Sequence, residues 1–167
     1  MKELAHELGM RAPPLTLAQM QDRVGEELGL SRWIRLDQTR IDAFGELTED
    51  RQFIHVDPVR ARAKSPFGGT IAHGFLTLSM ISAMAYDAEP PIIGARFGVN
   101  YGFDRVRFLT PVPAGARIRG RFVLDACDER KPGEVTLAWD LSVEMEGGER
   151  PAIVARWMQR WYLEDRT

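Results

Sequence analysis

The chain has 167 residues, 44% of them hydrophobic and 28% charged, with a net charge of −2 and a pI near 6.0. This length suits one domain with a sizeable core, and the charge balance gives no reason to expect nucleic acid or an anionic membrane as a partner. One cysteine, Cys127, excludes an internal disulfide framework and a cysteine-based zinc site. The opening run MKELAHELGMRAPPL is charged throughout and lacks the apolar centre of a signal peptide. The longest apolar stretch, around Phe75 to Tyr86, contains Ser79 and Ser82 and is too short to span a bilayer. The expectation is a soluble, cytoplasmic protein.

Residues 1–30 read as a helical lead-in, because Leu17, Met20, Val24 and Leu28 recur at three- and four-residue steps and Gly29 is a plausible stop. Trp33 to Leu36 reads as a short strand. Asp37 is placed to cap a helix whose Ile41, Phe44 and Leu47 face inward, and Asp57-Pro58 marks a second helix start. A third helix, roughly His73 to Asp87, is apolar nearly all round, with Phe75, Leu76, Leu78, Met80, Ile81 and Met84, so burial on most sides is expected. After Pro90-Pro91 the pattern turns to strands. Residues 92–101, 105–109, 117–126, 135–145 and 152–163 are rich in β-branched and aromatic side chains, and glycine and proline clusters separate them. The predicted class is α+β, a curved antiparallel sheet wrapped round one hydrophobic helix. A helical extension over 1–30 precedes a single domain over 31–167.

The chemistry concentrates between Glu46 and Leu76. Asp50 alone reads as a solvated turn carboxylate, and His55, within Phe53-Ile54-His55-Val56, reads as well as a core histidine. Together they lie near one turn and can converge on a single water, which suits acid–base work near neutral pH. Asp57, before Pro58, is a helix cap. His73 either caps the buried helix or enters the site, and the structural role is preferred. Gly74 stands in the first turn of that helix, where a bare backbone N–H suits a developing oxyanion; close packing against the sheet is the plainer reading. Ser82 more often bonds a local carbonyl than a substrate. Gly68-Gly69 is no phosphate loop, and no GxSxG or HExxH motif is present. Three scattered histidines, His6, His55 and His73, make a weak metal set, so no metal is expected.

Two runs, IDAFGELTEDRQFIHVDP from Ile41 and PFGGTIAHGFLTL ending at Leu78, resemble the signature of the MaoC-like, (R)-specific enoyl-CoA hydratases. Asn100-Tyr101-Gly102, Arg105-Val106-Arg107-Phe108 and Pro111-Val112-Pro113 resemble the NodN-like branch of that family, and the likeness covers roughly Trp33 to Tyr162. The resemblance implies a hot-dog fold and a homodimer joined edge to edge. It implies (R)-specific hydration of trans-2-enoyl-CoA with Asp50 and His55 as the catalytic pair and the Gly74 amide on the thioester carbonyl. Ser82 falls on a site-lining serine. Coenzyme A, or an acyl carrier, enters as part of the substrate, and no separate cofactor is implied. The chain departs from the family at Gln52-Phe53, where Asn-Pro is usual: Gln52 keeps polar support for the turn, while Phe53 adds bulk and bears on acyl preference. Arg107, with Arg105, is placed to meet coenzyme A phosphates, or else to cover a solvated strand face. An acyl-CoA thioesterase and a non-catalytic subunit of a dehydratase heterodimer are the competing readings.

Overall fold

The computed structural model describes residues 9–164. In chain order the elements are α1 (Leu17–Asp22), β1 (Glu27–Leu30), β2 (Ile34–Arg35), α2 (Gln38–Thr48), α3 (Phe53–Val56), α4 (Pro58–Lys64), α5 (Gly74–Ser79), α6 (Ile81–Ala88), β3 (Ala95–Phe108), β4 (Arg117–Lys131), β5 (Glu134–Met145) and β6 (Ile153–Leu163). The strands form one antiparallel sheet in the order β1-β4-β5-β6-β3, with β2 also on β4. The helices α5 and α6 run end to end on its inner face. This is the hot-dog arrangement, a sheet wrapped round a central helix.

Alternation along the strands explains why the sheet has an inside. Val135, Leu137, Trp139, Leu141 and Val143 of β5 are buried, as are Ile153, Ala155, Trp157 and Trp161 of β6. Against them lie Leu76, Ile81, Met84, Ala85 and Ala88 of the central helix, in one continuous apolar cluster. Fully burying a side chain of this size contributes about 1.5–3 kcal/mol, so this helix–sheet interface is the main source of stability. The outer face of the sheet carries cross-strand ion pairs, among them Arg119 and Arg121 on Glu144 and Arg156 between Asp104 and Asp125.

Three expectations are corrected. Among the described residues the helical lead-in is confined to α1, which Thr16 and Gln19 close with reciprocal hydrogen bonds. Gly25, at φ 92°, turns the chain, Val24 is exposed, and Leu28 and Gly29 belong to a strand paired with β4 rather than to a helix and its stop. The unpaired edge of β4 thus overrides a three-four periodicity, and the expected boundary at residue 30 falls at the end of a sheet strand. The part of the lead-in before residue 9, with His6, lies outside the described residues. Leu47 is 83% exposed, so of the three expected residues Ile41 and, in part, Phe44 face inward from α2. The central helix is two segments meeting at Met80, and Phe75 on its first turn is 68% exposed. Asp37 and Asp57 do cap α2 and α4, accepting from the amides of Arg40 and Arg60. Among the described residues no helix is long and apolar enough to cross a membrane.

Candidate active site

The crossover from β3 to β4 places the site. Residues 109–116 pass beneath the loop that leads into α5: the Ala72 amide donates to the Val112 carbonyl (2.8 Å) and the Ala114 amide to that of Thr70 (2.9 Å). This loop in turn grips α3, where the Ile71 amide donates to the Ile54 carbonyl (3.0 Å). His55 is thereby fixed, and its ring completes the connection through Nδ1, 2.7 Å from the Ile71 carbonyl oxygen. A carbonyl only accepts, so Nδ1 carries the proton and Nε2 is left with a lone pair. Burial lowers the His55 pKa, and the neighbouring His73 lowers it further; the Ile71 carbonyl and Asp50 oppose this. The ring is therefore a neutral base near pH 7.

Asp50 follows a helix end with an unusual backbone. Glu49 caps α2 in the left-handed region at φ 61° and is the one non-glycine residue with positive φ among the described residues. That turn reverses the chain and presents Asp50 at the surface, at a conformational cost of roughly 1–2 kcal/mol. His73 supplies the counter-grip: its Nε2–H donates to the Asp50 backbone carbonyl at 2.9 Å. The two imidazoles stack with centroids 3.9 Å apart, and Phe44 packs on His73 at 5.1 Å. Nδ1 of His73 is buried without a hydrogen-bond partner among the described residues. His73 therefore ties the Asp50 turn to the start of the central helix and does not cap that helix with its side chain.

One ligand atom from each of Asp50, His55 and His73 lies within 4.8 Å of the others. Each imidazole holds one ring nitrogen on a backbone carbonyl, as metal-bound histidines commonly do. That leaves the Asp50 carboxylate, His55 Nε2 and the buried His73 Nδ1 as the atoms a cation could use, and the first two as those suited to solvent and substrate.

A cleft of about 340 Å³ opens beside His55, lined by Ile71, Gly74, Thr77, Phe108 and Val112 among others. Gly74 begins α5, so its amide has no partner within the helix. A Cβ there would stand 3.0 Å from two ring carbons of Phe108, so any side chain requires that half-exposed ring to give way, and close packing favours glycine whether or not a ligand binds.

Other expected site residues fall elsewhere. Ser82 lines a separate cavity with Ala85, Glu89 and Asn100. Phe53 lies under the Arg60 guanidinium at 4.3 Å and is not part of the cleft lining. Gln52 is exposed and serves through its backbone carbonyl, which accepts from His55 N at 2.9 Å. Arg107 donates to the neighbouring Val106 carbonyl and stays exposed outside the cleft lining.

Spacing gave no sign of Gln38. Its Nε2 donates to the His55 carbonyl and to Asp42 (both 2.7 Å), and its Oε1 accepts from Thr70 (2.6 Å), so it spans α2, α3 and the loop before α5. Gly45 was also missed, although a glycine inside a helix is a visible signal. A Cβ there would meet the Asp50 carbonyl oxygen and Val56 Cγ1, each at 3.0 Å.

The MaoC like domain family matches residues 19–145. The chain belongs to the MaoC-like dehydratase family. It is 53% identical over 144 residues to nodulation protein N of Rhizobium leguminosarum bv. viciae, covering 86% of this chain and 89% of that protein. It is 38% identical over 146 residues to 3-hydroxyacyl-thioester dehydratase Z of Mycobacterium tuberculosis, covering 87% and 95%. The unliganded R-hydratase PhaJ1 from Pseudomonas aeruginosa has the same fold, with a TM-score of 0.68 and 20% identity over 92% of this chain and 89% of that one. Membership of this MaoC-like family supports a hydratase or dehydratase role.

Proposed function

We propose that the protein is an (R)-specific hydratase of trans-2-enoyl thioesters, with coenzyme A or an acyl carrier as the thiol part of the substrate. The observation that carries this reading is the approach of the Asp50 carboxylate to within 4.8 Å of the His55 imidazole, which itself lines a cleft bordered by the first residue of the central helix. The thioester carbonyl oxygen accepts from the Gly74 amide, where developing enolate charge is stabilised; one such donor is typically worth about 10²–10³ in rate. A water held between Asp50 and His55 Nε2 bonds through oxygen to the β-carbon and passes one proton to the pair. The pair returns a proton to the α-carbon from the same side. One water is consumed, a 3-hydroxyacyl thioester forms, and both side chains end in their starting states.

The active unit in this reading is a homodimer. β3 is a 14-residue edge strand whose outer edge is unpaired among the described residues, and Val99, Tyr101 and Phe108 on it are about half exposed. A long apolar edge is a template for another strand, and pairing β3 with its copy covers both that edge and the exposed Phe75.

Hydration of crotonyl-CoA, followed through loss of the conjugated thioester, tests the reaction, and chiral analysis of the product tests its hand. Asp50→Asn and His55→Gln are each expected to lower kcat by about 10²–10⁴ with folding intact. Undiminished turnover in both variants sinks the assignment. Release of free thiol from a saturated acyl-CoA points to thioester hydrolysis instead. Activity that appears only with an added partner subunit points to a non-catalytic role.

A further inference from the structure

A second cavity, of about 190 Å³, lies at the far end of the central helix, and its polar groups have no part in the chemistry described above. Glu89, the C-terminal cap of α6, lines it and is 2% exposed. Gln159 on β6 faces the carboxyl group, with Nε2 3.0 and 3.2 Å from its two oxygens. The amide cannot be reversed, because Gln159 Oε1 accepts from two indole N–H groups, those of Trp139 (3.2 Å) and Trp161 (3.0 Å). The described lining contains no cation and no second carboxylate; Tyr86 is its one other titratable side chain. A carboxyl so enclosed retains its proton, and burial pushes its pKa up to about 8 against the pull of the Gln159 amide. That proton has no acceptor among the described residues, since Gln159 Nε2 only donates. Ser82 and Asn100 add polar groups, Phe97, Trp157 and Trp161 supply aromatic walls, and Trp157 Nε1 is itself buried without a partner among the described residues. A neutral acid, an amide and a hydroxyl among aromatic walls suit a small uncharged oxygen function.

Both cavities border the same two elements. The cleft beside His55 takes Gly74 and Thr77 from the helix and Phe108 from β3, whereas this cavity takes Ser82, Ala85 and Glu89 from the helix and residues 97–100 from β3. Gly74, Ser82, Ala85 and Glu89 fall on one side of the helix at about 100° per residue, and they span ~22 Å at 1.5 Å per residue. We infer that the acyl chain of the substrate follows this helix–β3 seam from His55 to Glu89, and that its distal end carries an uncharged, hydrogen-bond-accepting oxygen such as a hydroxyl or keto group. The inference rests on the enoyl-thioester reading of the His55 cleft and adds the class of acyl group.

Binding can be read without turnover. Trp157 and Trp161 wall the cavity, so tryptophan emission is followed during titration with saturated long-chain acyl-CoA probes matched in length. One ends in methyl, one carries a hydroxyl near its end, and one ends in an ammonium group. The wild-type chain is expected to bind the hydroxylated probe about tenfold more tightly than the methyl-ended one. Glu89→Gln, which keeps a hydrogen-bonding group of the same size, retains that preference; Glu89→Leu abolishes it while still binding the methyl-ended probe. Equal or weaker binding of the hydroxylated probe, a preference that survives Glu89→Leu, or no response to any probe overturns the inference. Tighter binding of the ammonium probe overturns it too, because Glu89 is then a counter-ion. Crotonyl-CoA hydration in the same preparations separates the two readings. Hydration without a tail preference refutes this inference alone, and a tail preference without hydration refutes the reaction alone.

Discussion

Replacing Glu89 with glutamine is expected to change how stability depends on pH, and the size of the change follows from burial. In the unfolded chain the carboxyl has its ordinary pKa of 4.5; in the fold, burial raises it to about 8. Below the lower value both states hold the proton, and Glu89 carries no penalty. Between the two values the unfolded chain ionises while the folded chain keeps its proton, so the native state binds more protons. Stability then falls as pH rises, by about 1.4 kcal/mol per pH unit from this group. Above about 8 both states are ionised and the loss levels off at several kcal/mol, at most about 5. Glutamine keeps the acceptor for Gln159 and nearly the same volume without a titrating group. The assay is thermal or urea unfolding of both chains between about pH 5 and pH 9. Every other titrating group cancels in the difference, which should grow through neutral pH and reach roughly 10 °C in Tm above pH 8, at about 2–4 °C per kcal/mol for a chain of this size. A difference that stays flat across the range refutes the reasoning, because Glu89 is then either solvated or paired with a cation.

Gln38→Ala removes three hydrogen bonds of 2.6–2.7 Å and leaves the Thr70 hydroxyl and the His55 carbonyl without that partner. A loss of about 2 kcal/mol in stability and about a tenfold fall in kcat with little change in KM are expected from urea unfolding and crotonyl-CoA hydration; a rise in KM with kcat unchanged contradicts the positioning role. Gly45→Ala sets two effects against each other: about 1 kcal/mol gained in helix propensity, and a Cβ 3.0 Å from the Asp50 carbonyl oxygen and Val56 Cγ1. Crowding in a packed site costs typically 1–3 kcal/mol, so the variant should be less stable and less active, and a more stable variant shows that the Asp50 turn yields freely. Val99→Lys places a charge on the exposed β3 edge. It should shift sedimentation from dimer to monomer, whereas an unchanged dimer places the interface elsewhere.

Much of the fold is legible in the sequence because its determinants are local. The inward–outward alternation from Val135 to Met145 needs only a strand period, and the Asp37 and Asp57 caps need only a side chain beside a free amide. The breaks in that legibility have physical causes. Val24 and Leu28 carry a helical period, yet Gly25 turns the chain and the open edge of β4 recruits Glu27–Leu30 as a strand. Phe75 is apolar but exposed, because its ring meets its own sheet only through an edge contact with Phe108. Ser82 shares a helix with Gly74 but lies two turns on and opens into a different cavity.

The candidate site divides in the same way. The sequence by itself places Asp50 and His55 five residues apart in one turn and Gly74 at a helix start, since motif spacing and start signals are short-range properties of the chain. Only the tertiary structure decides the rest. The proton on His55 Nδ1 depends on a carbonyl 16 residues away, and His73 reaches 23 residues back to hold the Asp50 turn. Gln38 joins three segments that no periodicity links, and Glu89 is kept neutral by burial, against the pull of Gln159 on β6, 70 residues downstream. Protonation and orientation are set by burial and by long-range hydrogen bonds, and these exist only once the sheet has closed round the helix.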